Sequence, residues 1–150
     1  MNIVGQDVYD EMIRRLTLMV ATGNSDAHLK NWAILYPDGV HAKLTPLYDQ
    51  VFTAQWAKFR HELALNIGGT KSFVSIEMGR LRELARRVGR DPVQTENLVT
   101  STIESIGMAW QSMQDFPWAS ATYRAEIEAH WSRVPLLKPH VARVGRRLVV

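Results

Sequence analysis

The chain has no cysteine. That excludes a disulfide framework and any zinc–thiolate site, and it agrees with a reducing compartment. No apolar run approaches the ~20 residues a membrane span needs. The opening MNIVGQDVYDEMIRR is too acidic and too mixed for a secretory signal. Internal repeats and low-complexity tracts are also missing. These absences leave a soluble, cytoplasmic protein with no membrane partner as the expectation. At 150 residues and 46% hydrophobic, the chain suits one domain, 1–150, around one substantial core.

The formal charge of +3 is unevenly spread. GRLRELARRVGR (79–90) has five Arg against one Glu, and ARVGRRL (142–148) adds three more Arg. Such patches are either solvated helix faces or surfaces that meet DNA or phosphate.

Apolar residues at Val8, Met12, Ile13, Leu16, Met19 and Val20 recur in steps of three and four, which predicts a helix over 7–22 stopped by Gly23. WAILY and VHAKL, separated by the turn signal PDG, predict a β-hairpin. Pro46 ends strand pairing there. The residues from Pro46 to about Val74 read as irregular. Ser75 is the expected cap of a helix over 76–88 that ends at Gly89. Asp91 followed by Pro92 predicts a second start, for a helix running to about 114. Its expected inner face is Val93, Leu98, Ile103, Ile106, Met108 and Trp110. DFPW breaks the chain, and 121–131 and 139–148 read as two further helices. Trp110, Trp118 and Trp131 are expected in the core. Trp56 is expected to pack, or else to line a groove. His41 and His61 are expected at the surface or as caps.

The polar stretch GNSDAHLKN (23–31) leads into the hairpin, and Asp49 follows it. A hairpin returns its ends to one place, so Asp26, Asn31 and Asp49 should converge. Two carboxylates and a carboxamide supply the hard oxygen ligands that Mg²⁺ favours, with one carboxylate left over as a base. Asn31 stands five residues after Asp26, and Asp49 eighteen after Asn31. A protein-kinase catalytic loop likewise sets its base Asp five residues before a metal-binding Asn, with a second metal-binding Asp further on. Asn24 and Ser25 read as turn residues, with orienting the loop as the alternative for Ser25. A rival assignment, a metallohydrolase on Asp26, His28, Asp49 and His41, uses the same loop.

GNSDAHLKNWAIL, then KLTPLYDQVFT, then LALNIGG resembles the HipA family of serine/threonine kinases, toxins of bacterial toxin–antitoxin modules. The likeness is sharpest over 16–69. It implies a mainly α kinase-like C-lobe, a helical bundle in which a short β-hairpin carries the catalytic loop and the metal-binding Asp. It also implies Mg·ATP-dependent phosphoryl transfer to a protein hydroxyl. Asp26 would be the catalytic base, and Asn31 and Asp49 the Mg²⁺ ligands. His28 and Lys30 would join Asn31 and Asp49 at the nucleotide, and Tyr48 would either pack under it or fill the hairpin end.

The chain departs from a whole kinase in one respect. No glycine-rich phosphate cover and no strand lysine precede the loop, and IGGTK (67–71) lacks Walker A spacing. The resemblance therefore implies a C-lobe whose N-lobe belongs to a longer protein or a second chain, and which is not competent alone. A HipB-like antitoxin is a further implied partner. Without a roof, apolar residues near 33–35 and 47–52 should be partly bare, which favours a homodimer or a held partner. The alternative is a non-catalytic module binding an antitoxin or DNA through its arginines.

Overall fold

The computed structural model describes residues 5–56, 62–113, 116 and 120–139. Four α-helices and two small antiparallel hairpins make up the regular structure of these residues.

Helix α1 spans Gln6–Ala21 and buries Val8, Tyr9, Ile13, Leu16, Met19 and Val20 along the expected stripe. It ends as the sequence predicts. Gly23 takes φ +59, its N–H reaches Val20 O, and Asn24 N–H reaches Met19 O at 3.0 Å. This pair of reversed bonds satisfies carbonyls that the helix leaves open.

The first hairpin is shorter than WAILY and VHAKL suggested: β1 is Ile34–Leu35 and β2 Lys43–Leu44. Asp38, His41 and Val40 close its turn. Asp38 accepts from the backbone N–H groups of Val40 and His41 and from the His41 ring. These bonds to the charged form hold the Asp38 carboxyl at about 2.

A second hairpin occupies part of the stretch read as irregular. Strand β3, Glu62–Ile67, pairs with β4, Thr70–Ser72. Gly68 and Gly69, at φ +55 and +89, make its two-residue turn.

Helix α2 is Met78–Arg87, two residues later than expected, and Ser75 does not cap it. Residues Phe73–Ser75 form a 3₁₀ turn instead, which buries Phe73 and Ile76, and the Ser75 carbonyl accepts from Arg80 Nε.

Helix α3, Pro92–Ser112, starts where the sequence places it. Asp91 Oδ1 accepts from Val93 N–H at 2.7 Å and Gln94 N–H at 3.2 Å. Asp91→Ala should cost about 1 kcal/mol, readable as a shift in the urea midpoint at constant m.

The buried face of α3 keeps Ile103 and Trp110 of the expected set, with Leu98 and Ile106 half-buried against the core, but not Val93 or Met108. Thr95, Val99, Ile103, Gly107 and Trp110 face inward. Val93 and Met108 are each 62% exposed. The true stripe runs through a threonine and a glycine. Thr95 is buried because its hydroxyl bonds both Tyr9 OH and Asp91 O.

Helix α4, Ala121–Arg133, is capped by Ser120 and buries Ile127, His130 and Trp131. Helix α1 packs on α3, and α3 on α2. The core joins them to Phe52, Leu63, Ile67, Phe73 and Ile76. Trp110 and Trp131 meet edge to face inside it, as expected. Trp56 is exposed. Trp118, His61, the Arg-rich tail and nearly all of the helix expected over 139–148 lie outside the described residues.

Among the described residues no helix is long and apolar enough to cross a membrane.

Candidate functional site

Three segments build the site: the turn after α1, the 3₁₀ turn Leu29–Asn31, and the chain that leaves β2. Asn24 ties the first to the third. Its side chain is fully buried. Its Nδ2 donates to Asp49 O at 3.0 Å, and its Oδ1 accepts from Asp26 N–H at 3.0 Å. One carboxamide thus fixes the backbone at both acidic positions. Beside it, Ser25 N–H donates to Thr53 Oγ1 at 2.7 Å, and Ala54 N–H donates to Gly23 O at 3.0 Å. Asn24 is therefore not a mere turn residue but a cross-segment fastener, a role with no signal in local spacing, and Ser25 fits the alternative of orienting the loop.

Asn31 joins the second segment. Its Nδ2 donates to Asp49 Oδ2 at 2.6 Å and lies 3.4 Å from Asp26 O. The three segments therefore converge: Asn31 and Asp49 meet through their side chains, and Asp26 joins them through its backbone carbonyl. Asp49 sits at φ +58, the left-handed region that Asp tolerates better than most side chains. Oδ1 of Asn31 and Oδ1 of Asp49 make no hydrogen bond among the described residues, so both oxygens are free for a hard cation. The Asp26 carboxylate is exposed and likewise has no hydrogen bond or ion pair there. Its backbone holds the loop instead, its carbonyl accepting from His28 N–H at 2.7 Å.

His28 and Lys30 are exposed on the same loop. Tyr48 is tied to that loop as well, its hydroxyl donating to Lys30 O at 3.0 Å. His41 stands apart on the hairpin turn with Asp38. Among the described residues no three His, Cys, Asp or Glu side chains cluster to hold a metal. The metallohydrolase assignment, which needed His41 beside Asp26 and Asp49, loses its fourth ligand to that turn.

The bare surface expected around the loop is present. Leu29, Ile34, Leu35, Tyr36, Leu47 and Val51 are all exposed. Trp32, next to Asn31, helps line an apolar cleft of about 590 Å³ with Tyr9, Met12, Leu16, Leu44 and Leu65.

The sequence model of the HipA-like C-terminal domain matches residues 2–110, the part that holds this loop, both hairpins and most of α3. The chain belongs to that family. Among its relatives is the protein named "Putative kinase Y4dM" of Sinorhizobium fredii, 29% identical over 128 residues, which are 85% of this chain and 31% of that protein. "Putative kinase Y4mE" of the same organism is 30% identical over 123 residues, 79% of this chain and 29% of that protein. The chain thus spans about a third of the length of these HipA-like relatives. The fold agrees with HipA of Shewanella oneidensis, solved as a complex with HipB and operator DNA. The TM-score is 0.63 at 22% identity, over 95% of this chain and 34% of that one.

The arginines of 79–90 have internal partners. Arg80 donates to Ser75 O and Gly68 O. Arg82 forks onto Glu96, and Arg86 and Arg87 share Glu83. Arg90 donates to Gln6 and lies over the Tyr9 ring. This engagement weakens the reading of the segment as an open nucleic-acid surface.

Burial separates His130 from the exposed His28 and His41. Desolvation first, and the Arg133 charge second, push its imidazole below the ordinary range, against the opposing effect of the Val20 carbonyl. The unfolded chain therefore takes up this proton first. Stability from His130 is complete above the unfolded value of about 6.5 and is lost as pH falls below it. The midpoint of thermal unfolding should begin to fall as pH drops below about 6.5, before most carboxylates titrate. His130→Gln should flatten that fall.

Proposed function

We propose that this chain is the catalytic-loop lobe of a HipA-like serine/threonine protein kinase, transferring the γ-phosphoryl group of ATP to a protein hydroxyl. The observation that carries the reading is the joined set Asp26, Asn31 and Asp49. Its Asn–Asp contact of 2.6 Å crosses between two segments, within a family whose relatives are named as kinases.

In this mechanism Asn31 Oδ1 and Asp49 would hold Mg²⁺, which would neutralise charge on the ATP phosphates. Asp26 accepts the proton of the substrate hydroxyl as its oxygen bonds to the γ-phosphorus. The bond from that phosphorus to the β,γ-bridging oxygen breaks, and ADP leaves. Asn24 keeps the backbones of Asp26 and Asp49 in register. Tyr48 pins the loop through Lys30 O, and the exposed side chains of His28 and Lys30 lie within the same loop for the nucleotide phosphates. The glycine-rich cover and its lysine come from the rest of a longer kinase or from a second chain. The bare apolar residues from Leu29 to Val51 and the Trp32 cleft are the surface such a lobe would cover. A toxin–antitoxin setting, with a HipB-like partner, is the biological context the Shewanella complex supports.

Calorimetry of Mg·ATP binding tests the reading. The chain supplied with the glycine-rich lobe of a HipA-like kinase should bind Mg·ATP, and Asp49→Asn should weaken binding by about ten-fold or more, the size expected for a lost metal ligand. Absence of binding in the reconstituted pair, or indifference to Asp49, would contradict it.

A further inference from the structure

The family match ends at residue 110, yet a distinctive set of contacts to the site comes from beyond it. Consecutive residues of α4 reach the last carbonyls of α1. His130 Nε2 lies 2.8 Å from Val20 O, and Trp131 Nε1–H donates to Ala21 O at 2.7 Å. Both contacts are buried and span 110 residues of sequence. A helix cannot satisfy its own last four carbonyls. Here Leu18 O, Met19 O and Val20 O take the N–H groups of Thr22, Asn24 and Gly23, and α4 adds a second, side-chain partner to Val20 O and supplies one to Ala21 O.

The same imidazole touches the other half of the site. It meets Phe52 edge to face at 6.1 Å and Phe73 at 5.0 Å. Phe52 also meets Tyr123 of α4 at 5.6 Å. Phe52 follows Asp49 by three residues, and its ring packs on Gly23. Helix α4 therefore holds the turn that leads to Asp26 and the segment that leaves Asp49, and holds both through one side chain.

We infer that His130 and Trp131 are positioning residues of the site: they fix α1's end and Phe52 in one register, so that Asn24 and Asn31 can join Asp26 to Asp49. This rests on the kinase reading for the meaning of the site, though the clamp itself does not depend on it. Nothing in the spacing of Asp26, Asn31 and Asp49 points to α4, and its contribution is separable from theirs.

Amide hydrogen exchange on the whole chain tests the clamp. The amides to follow are Asn24, Ser25 and Ala54, which bond Met19 O, Thr53 Oγ1 and Gly23 O. Trp131→Phe keeps a ring and deletes the donor, and His130→Ala removes both ring and donor. Each should speed these amides by about ten-fold relative to Val99 and Ile103 in α3, a local opening and not a global one. His130→Gln, which retains an N–H donor, should restore slow exchange at the loop. Leu81→Val in α2 is the control for general destabilisation and should speed all amides by one common factor. If the α4 variants only reproduce that uniform pattern, or leave the loop unchanged, the clamp is wrong. Should His130→Ala not fold, Trp131→Phe decides the matter. Exchange judges the clamp whatever the chain does with ATP. Loss of the Asp49 effect on Mg·ATP binding would instead remove the kinase reading and leave the clamp standing.

Discussion

Asp26→Asn should lower the phosphoryl-transfer rate by about 10²–10⁴-fold, or roughly 3–5 kcal/mol of transition-state stabilisation, while leaving Mg·ATP affinity and folding nearly unchanged. The structure separates these effects. The Asp26 carboxylate is exposed and makes no hydrogen bond or ion pair among the described residues, while its backbone N–H and C=O carry the loop's bonds to Asn24 and His28. Replacing the side chain removes the proposed proton acceptor and nothing that the fold uses. A surface change of this kind shifts stability by about 0.5 kcal/mol or less. Single-turnover kinetics with the complementary lobe present checks the rate, and calorimetry checks the affinity. A fall in affinity matching the fall in rate would move Asp26 from proton acceptor to phosphate or metal contact.

Gly23→Ala should destabilise the chain by about 2–5 kcal/mol, from two costs that can be read apart. The first is conformational: φ is +59, where an L side chain costs about 1–2 kcal/mol. The second is packing. A Cβ there would stand 2.9 Å from Ala54 Cβ and 3.0 Å from two carbons of the Phe52 ring. Overpacking of that kind costs about 1–3 kcal/mol. Gly39 provides the comparison, with φ +77 and nothing within 4 Å of its would-be Cβ. Gly39→Ala should carry the conformational cost alone. Urea unfolding of both variants gives the difference, and equal losses would show that the contact with Phe52 and Ala54 relaxes freely. Because Gly23 precedes the loop and Phe52 follows Asp49, the Gly23 variant should also lose part of its site geometry.

Much of this was legible in the sequence where the signal is local. The α1 stripe, its stop at Gly23, and the Asp91–Pro92 start of α3 are one-turn events, and each falls where residue chemistry places it. The convergence of Asp26, Asn31 and Asp49 was legible for a second reason, since a hairpin returns its ends whatever its length. The second hairpin was legible but misread. Gly68–Gly69 between ELALNI and TKS is a two-residue turn signal, which the comparison of IGGTK with a phosphate loop passes over. Hydrophobicity alone places Ile103, Trp110, Leu98 and Ile106 of α3 correctly but also puts Val93 and Met108 inside, where they are exposed. The real stripe also includes Thr95, made tolerable by a hydrogen bond with Tyr9, and Gly107, neither of which a hydrophobicity pattern selects. Ser75 resembled a cap, but the 3₁₀ turn that buries Ile76 claimed it first. Asn24, His130 and Trp131 were beyond local reading altogether. Their roles are set by partners 25 and 110 residues away, and no periodicity encodes such pairs.

The central claim is that the loop from Asn24 to Asn31 and the Asp49 segment form the metal and proton-transfer half of a kinase site. The most direct measurement is transfer of label from γ-labelled ATP to serine or threonine in a protein, with this chain supplied with its glycine-rich lobe, for the native sequence beside Asp49→Asn. The account predicts Mg²⁺-dependent labelling that Asp49→Asn abolishes. Labelling that survives the substitution, or that proceeds without Mg²⁺, would contradict it.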